Sequence, residues 1–444
     1  MFKMLKGKTA TWIYGYYFVN VGYRCFYKNR QTYGQEKVPY GKKPIIFAAN
    51  HQNAFLDPIL ITVVGPLHTY YLTRADIFQK PFLNKLFRSI YMLPIYRQRD
   101  GGDPRERNKE TFNECHDLLS KNNAIIIFPE GNHTPKRNLR QLKKGLVRIG
   151  YGAEDKYNNE LDVQIIPVGL NYSRYDGFQS DFFIHFGEPI SLKDYNEQRA
   201  ENEVRTINKI MVEVRKGMQD VMIDIKMDHY DTVNEMLYIF PKEIEELEGI
   251  EAKDLQQKFV AQKSFIRKIE NFFETKPEIA NAVEEKVKNI KEFVQEKGLK
   301  YWLFYKDKYN TLSILGSILL LILGLPLHLY GMINNYIPYK IPVWFVNSKI
   351  KDKTFHGSFK MAFGVLFFKL FWIFQIVLVA WLTDDYIWVL YALSLPLSAI
   401  YSWNYWKFFL KTMGKIKYNK LMKSAEGKQI KNEVTEIAEL IKGL

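Results

Sequence analysis

Cysteine is scarce in this sequence: 444 residues contain two, Cys25 and Cys115, far apart and outside any CxxC pattern. That excludes a disulfide framework and a thiolate zinc site, and it points to a reducing compartment. Acidic residues are outnumbered, 48 Asp and Glu against 63 Lys and Arg, for a formal charge of +15. A surplus of this sign favours an anionic partner, whether nucleic acid, an acidic membrane face or a phosphorylated substrate. Formal charge is absent from residues 309–339 and 386–406, and residues 361–383 carry only Lys369. A helix of ~20 apolar residues crosses a hydrocarbon core, so each stretch is long enough to span, and the chain reads as an integral membrane protein. A small-residue cleavage pattern is missing after the N-terminal stretch, which argues against a signal peptide there. Its Trp12, Tyr14, Tyr16, Tyr17 and Tyr23, flanked by Lys and Arg, suit a membrane interface instead; the plainer alternative is a core helix of a soluble domain.

What is present falls into five segments. Residues 1–39 form the aromatic and basic membrane-interface segment. Residues 40–195 alternate short β-rich runs (PIIFAAN, TYYLTRA, AIIIFPEG, VQIIPVGLNYS, FFIHFGEPI) with helical patterns, one of them at 104–121 behind Asp103-Pro104. Strands alternating with helices predict an α/β domain with a largely parallel sheet. Residues 196–308 are charged and helix-prone, with apolar residues at amphipathic spacing. Residues 309–406 form the membrane-embedded region, and 407–444 a basic C-terminal tail. The predicted fold class is thus an α/β domain followed by a helical segment and a C-terminal transmembrane helical region.

Lysines flank the first apolar segment on both sides, Lys300, Lys306 and Lys308 before it and Lys340, Lys349, Lys351, Lys353 and Lys360 after it. Under the positive-inside rule both flanks are cytoplasmic. Gly324-Leu325-Pro326 therefore predicts an interruption that returns the chain to the same side. The next two segments, joined by Thr383-Asp384-Asp385, would form an out-and-back hairpin; three full crossings are the alternative.

Three stretches carry candidate chemistry. In AANHQNAFLDPILI, His51 follows a strand-like run, where α/β sheets place their ligands, and Asp57-Pro58 reads as an N-cap with proline at the first helical position. Asp57 is placed to take one ring nitrogen of His51 and leave the other as a base, a task suited to a side chain that titrates near neutrality. On its own an H-x5-D spacing favours the plainer arrangement, a capping aspartate and a core histidine. In FPEGNHTPKRNLRQLKKG, a Pro-Glu-Gly turn precedes Lys136, Arg137, Arg140, Lys143, Lys144 and, just beyond, Arg148, a concentration of positive charge suited to an anion; a solvated basic helix face is the plainer reading. In MLPIYRQR, Arg97 ends an apolar run with a guanidinium able to fork onto phosphate.

In this order the stretches resemble the four-block signature of the glycerolipid acyltransferase family, which includes glycerol-3-phosphate and lysophosphatidic acid acyltransferases. NHQNAFLDP matches the first block, PIYR the second, FPEGNHT the third and IIPVG, residues 165–169, the fourth. The resemblance implies an α/β acyltransferase domain on a membrane, with His51 as base, Asp57 orienting it, Arg97 holding phosphate, and Glu130 and Gly131 shaping the acceptor site. Two features depart from the usual pattern. The family commonly spaces its pair H-x4-D; the longer spacing here is similar to that of fungal glycerol-3-phosphate and dihydroxyacetone-phosphate acyltransferases. His133 stands where many members have arginine, so His133, Lys143 and Lys144 join Arg97 as candidate acceptor contacts.

The function implied is transfer of a fatty acyl group from an acyl thioester, acyl-coenzyme A or acyl carrier protein, to glycerol-3-phosphate. The alternative acceptor is lysophosphatidic acid or another lysophospholipid. No cofactor or metal is expected, the partners are the bilayer and the two substrates, and the catalytic domain is expected on the cytoplasmic face. A metallophosphatase is suggested by GNHT, but the D-x-H and GD-x-x-D clusters are missing. Nucleic-acid binding lacks any reader module. An inactive, lipid-binding or scaffolding relative is the non-enzymatic alternative.

Overall fold

The computed structural model describes residues 10–65, 69–97, 100–383 and 386–444. The side chains of Trp12, Tyr14, Tyr16 and Tyr17, and the residues Asp384 and Asp385 expected to join two apolar segments, lie outside the described residues. The chain forms two units, residues 1–224 with 350–362, and residues 225–349 with 363–444.

The first unit is built on an eight-stranded sheet: β1 (Tyr27–Tyr33), β2 (Ile45–Ala49), β3 (Thr69–Arg74), β4 (Met92–Ile95), β5 (Ala124–Ile127), β6 (Gln164–Tyr172), β7 (Ser180–Phe186) and β8 (Ile190–Ser191). The order is β1-β7-β6-β2-β5-β3-β4, with β8 beside β6. Pairs are parallel except where β6 meets β7 and β8. IIFAA is central and buried along its whole length, as expected of a parallel strand covered on both faces. Its side chains alternate: Ile45, Phe47 and Ala49 enter one core with Leu56, Ile126, Ile166 and Phe182. Ile46 and Ala48 enter the other with Ile125, Leu146, Ile165 and Val214. Each fully buried large apolar side chain contributes about 1.5–3 kcal/mol.

Several boundaries differ from those expected. Tyr23, Phe26 and Tyr27 are buried, and the ring contacts of Tyr23 with Tyr27 at 60° and with Phe182 at 86° tie the end of helix Ala10–Phe26 to the sheet. Residues 23–33 therefore belong to the α/β unit, because its core needs their rings. At the other end, helix Glu203–Val221 lays Ile210, Val214 and Met218 on the sheet. Gly169 permits this: a Cβ there would lie 1.8 Å from the Val221 carbonyl oxygen, a physical reason for glycine in IIPVG. The 104–121 stretch forms two helices, Pro104–Arg107 and Lys109–Leu119.

The second unit is helical. Helices Tyr230–Ile239, Leu255–Thr275 and Pro277–Glu296 bury Met236, Phe265, Phe273 and Ile290, and helix Ala425–Lys442 buries Ile430, Ile437 and Ile441. Ion pairs Lys286–Glu436 and Lys297–Glu426 join the last helix to its neighbour. Within the basic stretch 407–444, residues 407–421 end helix Ile387–Leu421, and Ala425–Lys442 forms an amphipathic helix capped by Ser424 whose apolar stripe has a partner.

Thr311–Lys349 and Lys353–Leu382 are long and apolar enough to cross a membrane by length and composition, and they associate the chain with a membrane. Ile387–Leu421 pairs along the first of them. The expected break at Gly324-Leu325-Pro326 is absent: Thr311–Lys349 is one helix containing Pro326, Pro338 and Pro342. Side chains of neighbouring helices donate to several of its backbone carbonyls, one of them freed by a proline. Pro338 leaves the Asn334 carbonyl without its usual donor, and Gln375 Nε2 donates to it at 3.3 Å. Tyr405, Tyr401 and Ser402 donate to the carbonyls of Leu321, Gly324 and His328.

Candidate active site

β2 delivers His51 to the carboxyl end of the sheet. Its Nδ1 lies 2.7 Å from Asp57 Oδ2, and the same oxygen accepts the backbone N–H groups of Gln52 at 2.7 Å and Asn53 at 2.8 Å. Asp57 Oδ1 accepts the hydroxyl of Tyr172 at 2.5 Å. Asp57 is fully buried, and a buried carboxylate needs this many donors. The helix after the loop begins at Leu56, with Phe55 as N-cap. Asp57 is therefore in the first turn rather than at the cap, and its carboxylate holds the loop that precedes the helix. Within the five residues between the pair, Ala54 takes φ of 27°. His51 Nδ1 must be the donor to a carboxylate, which leaves Nε2 as the acceptor of the neutral ring.

β5 brings Phe128 and the Pro-Glu-Gly turn alongside. Phe128 stacks on the His51 ring at 3.9 Å between centroids, fixing its plane. Glu130 Oε1 accepts the His51 backbone N–H at 3.3 Å, while Oε2 takes Arg140 Nε at 2.7 Å. Thr134 N–H returns the tie, donating to the His51 carbonyl at 2.9 Å. Burial pushes the Glu130 carboxyl above its ordinary value, against the pull of Arg140. Gly131 has φ of 76°, which glycine adopts without strain, and a Cβ on it would lie 2.7 Å from Lys143 Nζ, which would then have to move.

His133 stands edge-on to His51, 5.4 Å between ring centroids. Its Nε2 is 3.1 Å from Asp352 Oδ2. Burial, opposed by the Asp352 carboxylate and aided by His51, holds His133 below its ordinary value.

The cations expected around an anion are dispersed. Arg137 donates to the carbonyls of Tyr172 and Ser173, and Arg140 is bound to Glu130. Lys143, Lys144 and Arg148 are exposed, Lys143 beside Gly131 and Lys144 at the N-cap of helix Gly145–Lys156. Most of this stretch is irregular loop rather than a basic helix face. Arg97 follows β4, three strands from β2 and so about 14 Å across the sheet, and its guanidinium forks onto Asp100 at 2.8 and 3.1 Å. The adjoining cavity is lined by Asp76, Asp100, Glu110 and Glu114 against Arg88 and Arg107, four carboxylates to two cations. The structure thus brings His51, Asp57, Glu130, Gly131, His133 and Lys143 together, and leaves Arg97 engaged elsewhere.

Sequence reasoning missed Tyr172, Phe128 and Asp352. Tyr172 and Phe128 closed strand-like runs and carried no signal of their own. Asp352 lay in a stretch read for its charge alone.

Known proteins match the α/β unit in sequence. The Acyltransferase family model matches residues 29–171. A glycerol-3-phosphate O-acyltransferase 1 of Saccharomyces cerevisiae is 30% identical over 118 residues, 25% of this chain and 15% of that one. A 1-acyl-sn-glycerol-3-phosphate acyltransferase of Cocos nucifera is 22% identical over 175 residues, 38% of this chain and 53% of that one. The chain therefore spans only part of the length of either relative. Among solved structures, the 1-acyl-sn-glycerophosphate acyltransferase PlsC of Thermotoga maritima aligns with 18% identity and a TM-score of 0.33, covering 49% of this chain and 85% of that one. Over residues 29–171, the chain is thus similar to acyltransferases that act on glycerol-3-phosphate and its 1-acyl derivative.

Proposed function

We propose that this protein is a membrane-bound O-acyltransferase that moves a fatty acyl group from an acyl thioester to the hydroxyl of glycerol-3-phosphate. The observation that carries the reading is the His51 Nδ1 to Asp57 Oδ2 contact of 2.7 Å, with Asp57 immobilised by three further donors. Nε2 of His51 accepts the hydroxyl proton as the oxygen attacks the thioester carbonyl. The tetrahedral intermediate then expels the thiolate, which recovers the proton from His51, so no acyl-enzyme is required. Asp57 holds the tautomer and stabilises the imidazolium that forms, the division of labour familiar from other histidine–carboxylate pairs.

On this reading Glu130 and Gly131 shape the acceptor pocket, and His133, Lys143 and Lys144 contact the acceptor. Arg97 would bind phosphate only after leaving Asp100. Acyl-coenzyme A and acyl carrier protein are both chemically suitable donors, and lysine-rich flanks favour a cytoplasmic catalytic domain. Lysophosphatidic acid is a second reading for the acceptor, supported by alignment with over half the length of the coconut relative; it presents the same phosphate with an acyl chain attached.

The test is thiol release from a long-chain acyl-coenzyme A by the full chain in detergent, with each acceptor in turn and a His51→Ala control. Release with one acceptor that disappears in the control supports the reading and names the acceptor. Release that survives the substitution removes His51 as base, and silence with both acceptors and both donor types sinks the enzymatic reading in favour of a scaffold.

A further inference from the structure

Residues 350–362 belong to the α/β unit although they follow β7 by more than 160 positions. They come directly after the first membrane-length helix and include the start of the second, and their contacts are with the loop that carries the dyad. Ser358 Oγ accepts the backbone N–H of Leu56, the first residue of the helix holding Asp57, at 3.2 Å. Phe355 meets Phe55 at 5.2 Å and His133 at 5.1 Å between ring centroids. A Cβ on Gly357 would lie 2.9 Å from the side-chain Oδ1 of Asn53, so the first turn of helix His356–Leu382 packs closely on a side chain of the dyad loop. Met361 is buried in the sheet core.

Asp352 is the polar end of this segment. Its Oδ1 caps the turn Lys353–Phe355, accepting the N–H and the hydroxyl of Thr354 at 3.0 and 2.5 Å. That leaves Oδ2 for His133 Nε2. Phe355 then packs against the same imidazole, so ring direction and ring plane are both set from residues 352–355.

We infer that Asp352 is a positioning residue for acyl transfer: it holds His133 beside His51 so that Nδ1 of His133 faces the acceptor. The α/β fold of residues 29–171 supplies the dyad, and the segment 350–362 completes the acceptor side of the pocket. The reason is chemical. An imidazole with one nitrogen tied to a carboxylate presents the other in one direction and one tautomer, whereas an untethered His133 has neither. This rests on the reading of His133 as an acceptor contact.

The test combines steady-state kinetics with chemical footprinting of the full chain in detergent. Asp352→Ala should raise the KM for the acceptor about tenfold, the scale of one charge-assisted hydrogen bond, with the KM for the thioester unchanged and kcat within about threefold. Asp352→Asn, which keeps the shape and one acceptor oxygen, should fall between and guards against misfolding. In a His133→Ala background, Asp352→Ala should add nothing; an equal effect in both backgrounds would mean a purely structural role and overturn the inference. Diethyl pyrocarbonate labelling of His133, read by peptide mass spectrometry, should rise several-fold in Asp352→Ala. Unchanged labelling shows that Asp352 does not hold His133, whether or not the protein turns over. Absence of thiol release by the unsubstituted chain would instead sink the proposed function, leaving the footprint to decide the tether.

Discussion

Tyr172, the last residue of β6, donates its hydroxyl to Asp57 Oδ1 at 2.5 Å across 115 positions of sequence. Both groups are buried, and burial, then the Asp57 charge, holds the phenol well above its ordinary value, so it remains a donor throughout the working range. Tyr172→Phe removes one of the donors on a buried carboxylate. It is expected to cost about 1–3 kcal/mol of stability and to lower kcat roughly tenfold, or ~1.4 kcal/mol in the barrier, with substrate KM values unchanged. Denaturation and initial rates on the same preparation check this; an unchanged kcat would show that Asp57 is held well enough without Tyr172.

Asp57→Asn tests the tautomer directly. The amide can still accept from the loop, but it no longer fixes Nδ1–H on His51. The expected loss in kcat is on the order of 10²–10⁴, the usual contribution of a positioned general base. Retention of most activity would mean that His51 works without its carboxylate.

Gly131→Ala should destabilise the Pro-Glu-Gly turn by about 1–2 kcal/mol, the cost of a side chain in the left-handed region. The new methyl would also displace Lys143 Nζ, 2.7 Å from its position. The acceptor KM should therefore rise more than the donor KM, and equal changes in both would remove Lys143 from the acceptor site.

His133 lies below its ordinary value of 6.5, with burial the main cause. The unfolded chain thus binds more protons at this position than the folded one just below pH 6.5, and stability rises with pH there. The contribution is fully present above the unfolded value and is lost as pH falls through it towards the folded one. The stability advantage over His133→Gln should be larger at about pH 7.5 than at about pH 5.5, on either side of the ordinary histidine value. Thermal unfolding of both proteins at the two pH values measures it, and a constant difference would mean that His133 keeps its ordinary value when folded.

In the second unit, Gln375→Leu removes the donor that serves the Asn334 carbonyl beside Pro338. The expected cost is about 0.6 kcal/mol, typical of side-chain hydrogen bonds between membrane helices. It should shrink in a Pro338→Ala background, where the helix supplies its own donor. Unfolding in mixed detergent micelles reads the cycle, and equal costs in both backgrounds would assign Gln375 a role unrelated to the proline.

Local pattern was enough to identify β2, β5 and the apolar stretches, because burial on both faces of a strand and passage through hydrocarbon each leave a continuous run, whereas His51 and Asp57 stood out as a pair only through the ordered blocks of the family resemblance. The sequence by itself also placed Glu130 and Gly131 at a turn, since a Pro-Glu-Gly ending to an apolar run has few other uses. Tertiary structure alone decided the rest. Tyr23 looked interfacial because an aromatic run has the same composition whether it faces lipid headgroups or a sheet core. Pro326 marked a break that does not occur: Thr311–Lys349 continues through it as one helix packed along Ile387–Leu421. Asp352 could not be read as a partner of His133 because the two are 219 positions apart, and a hydrogen bond between side chains leaves no periodic trace in the chain.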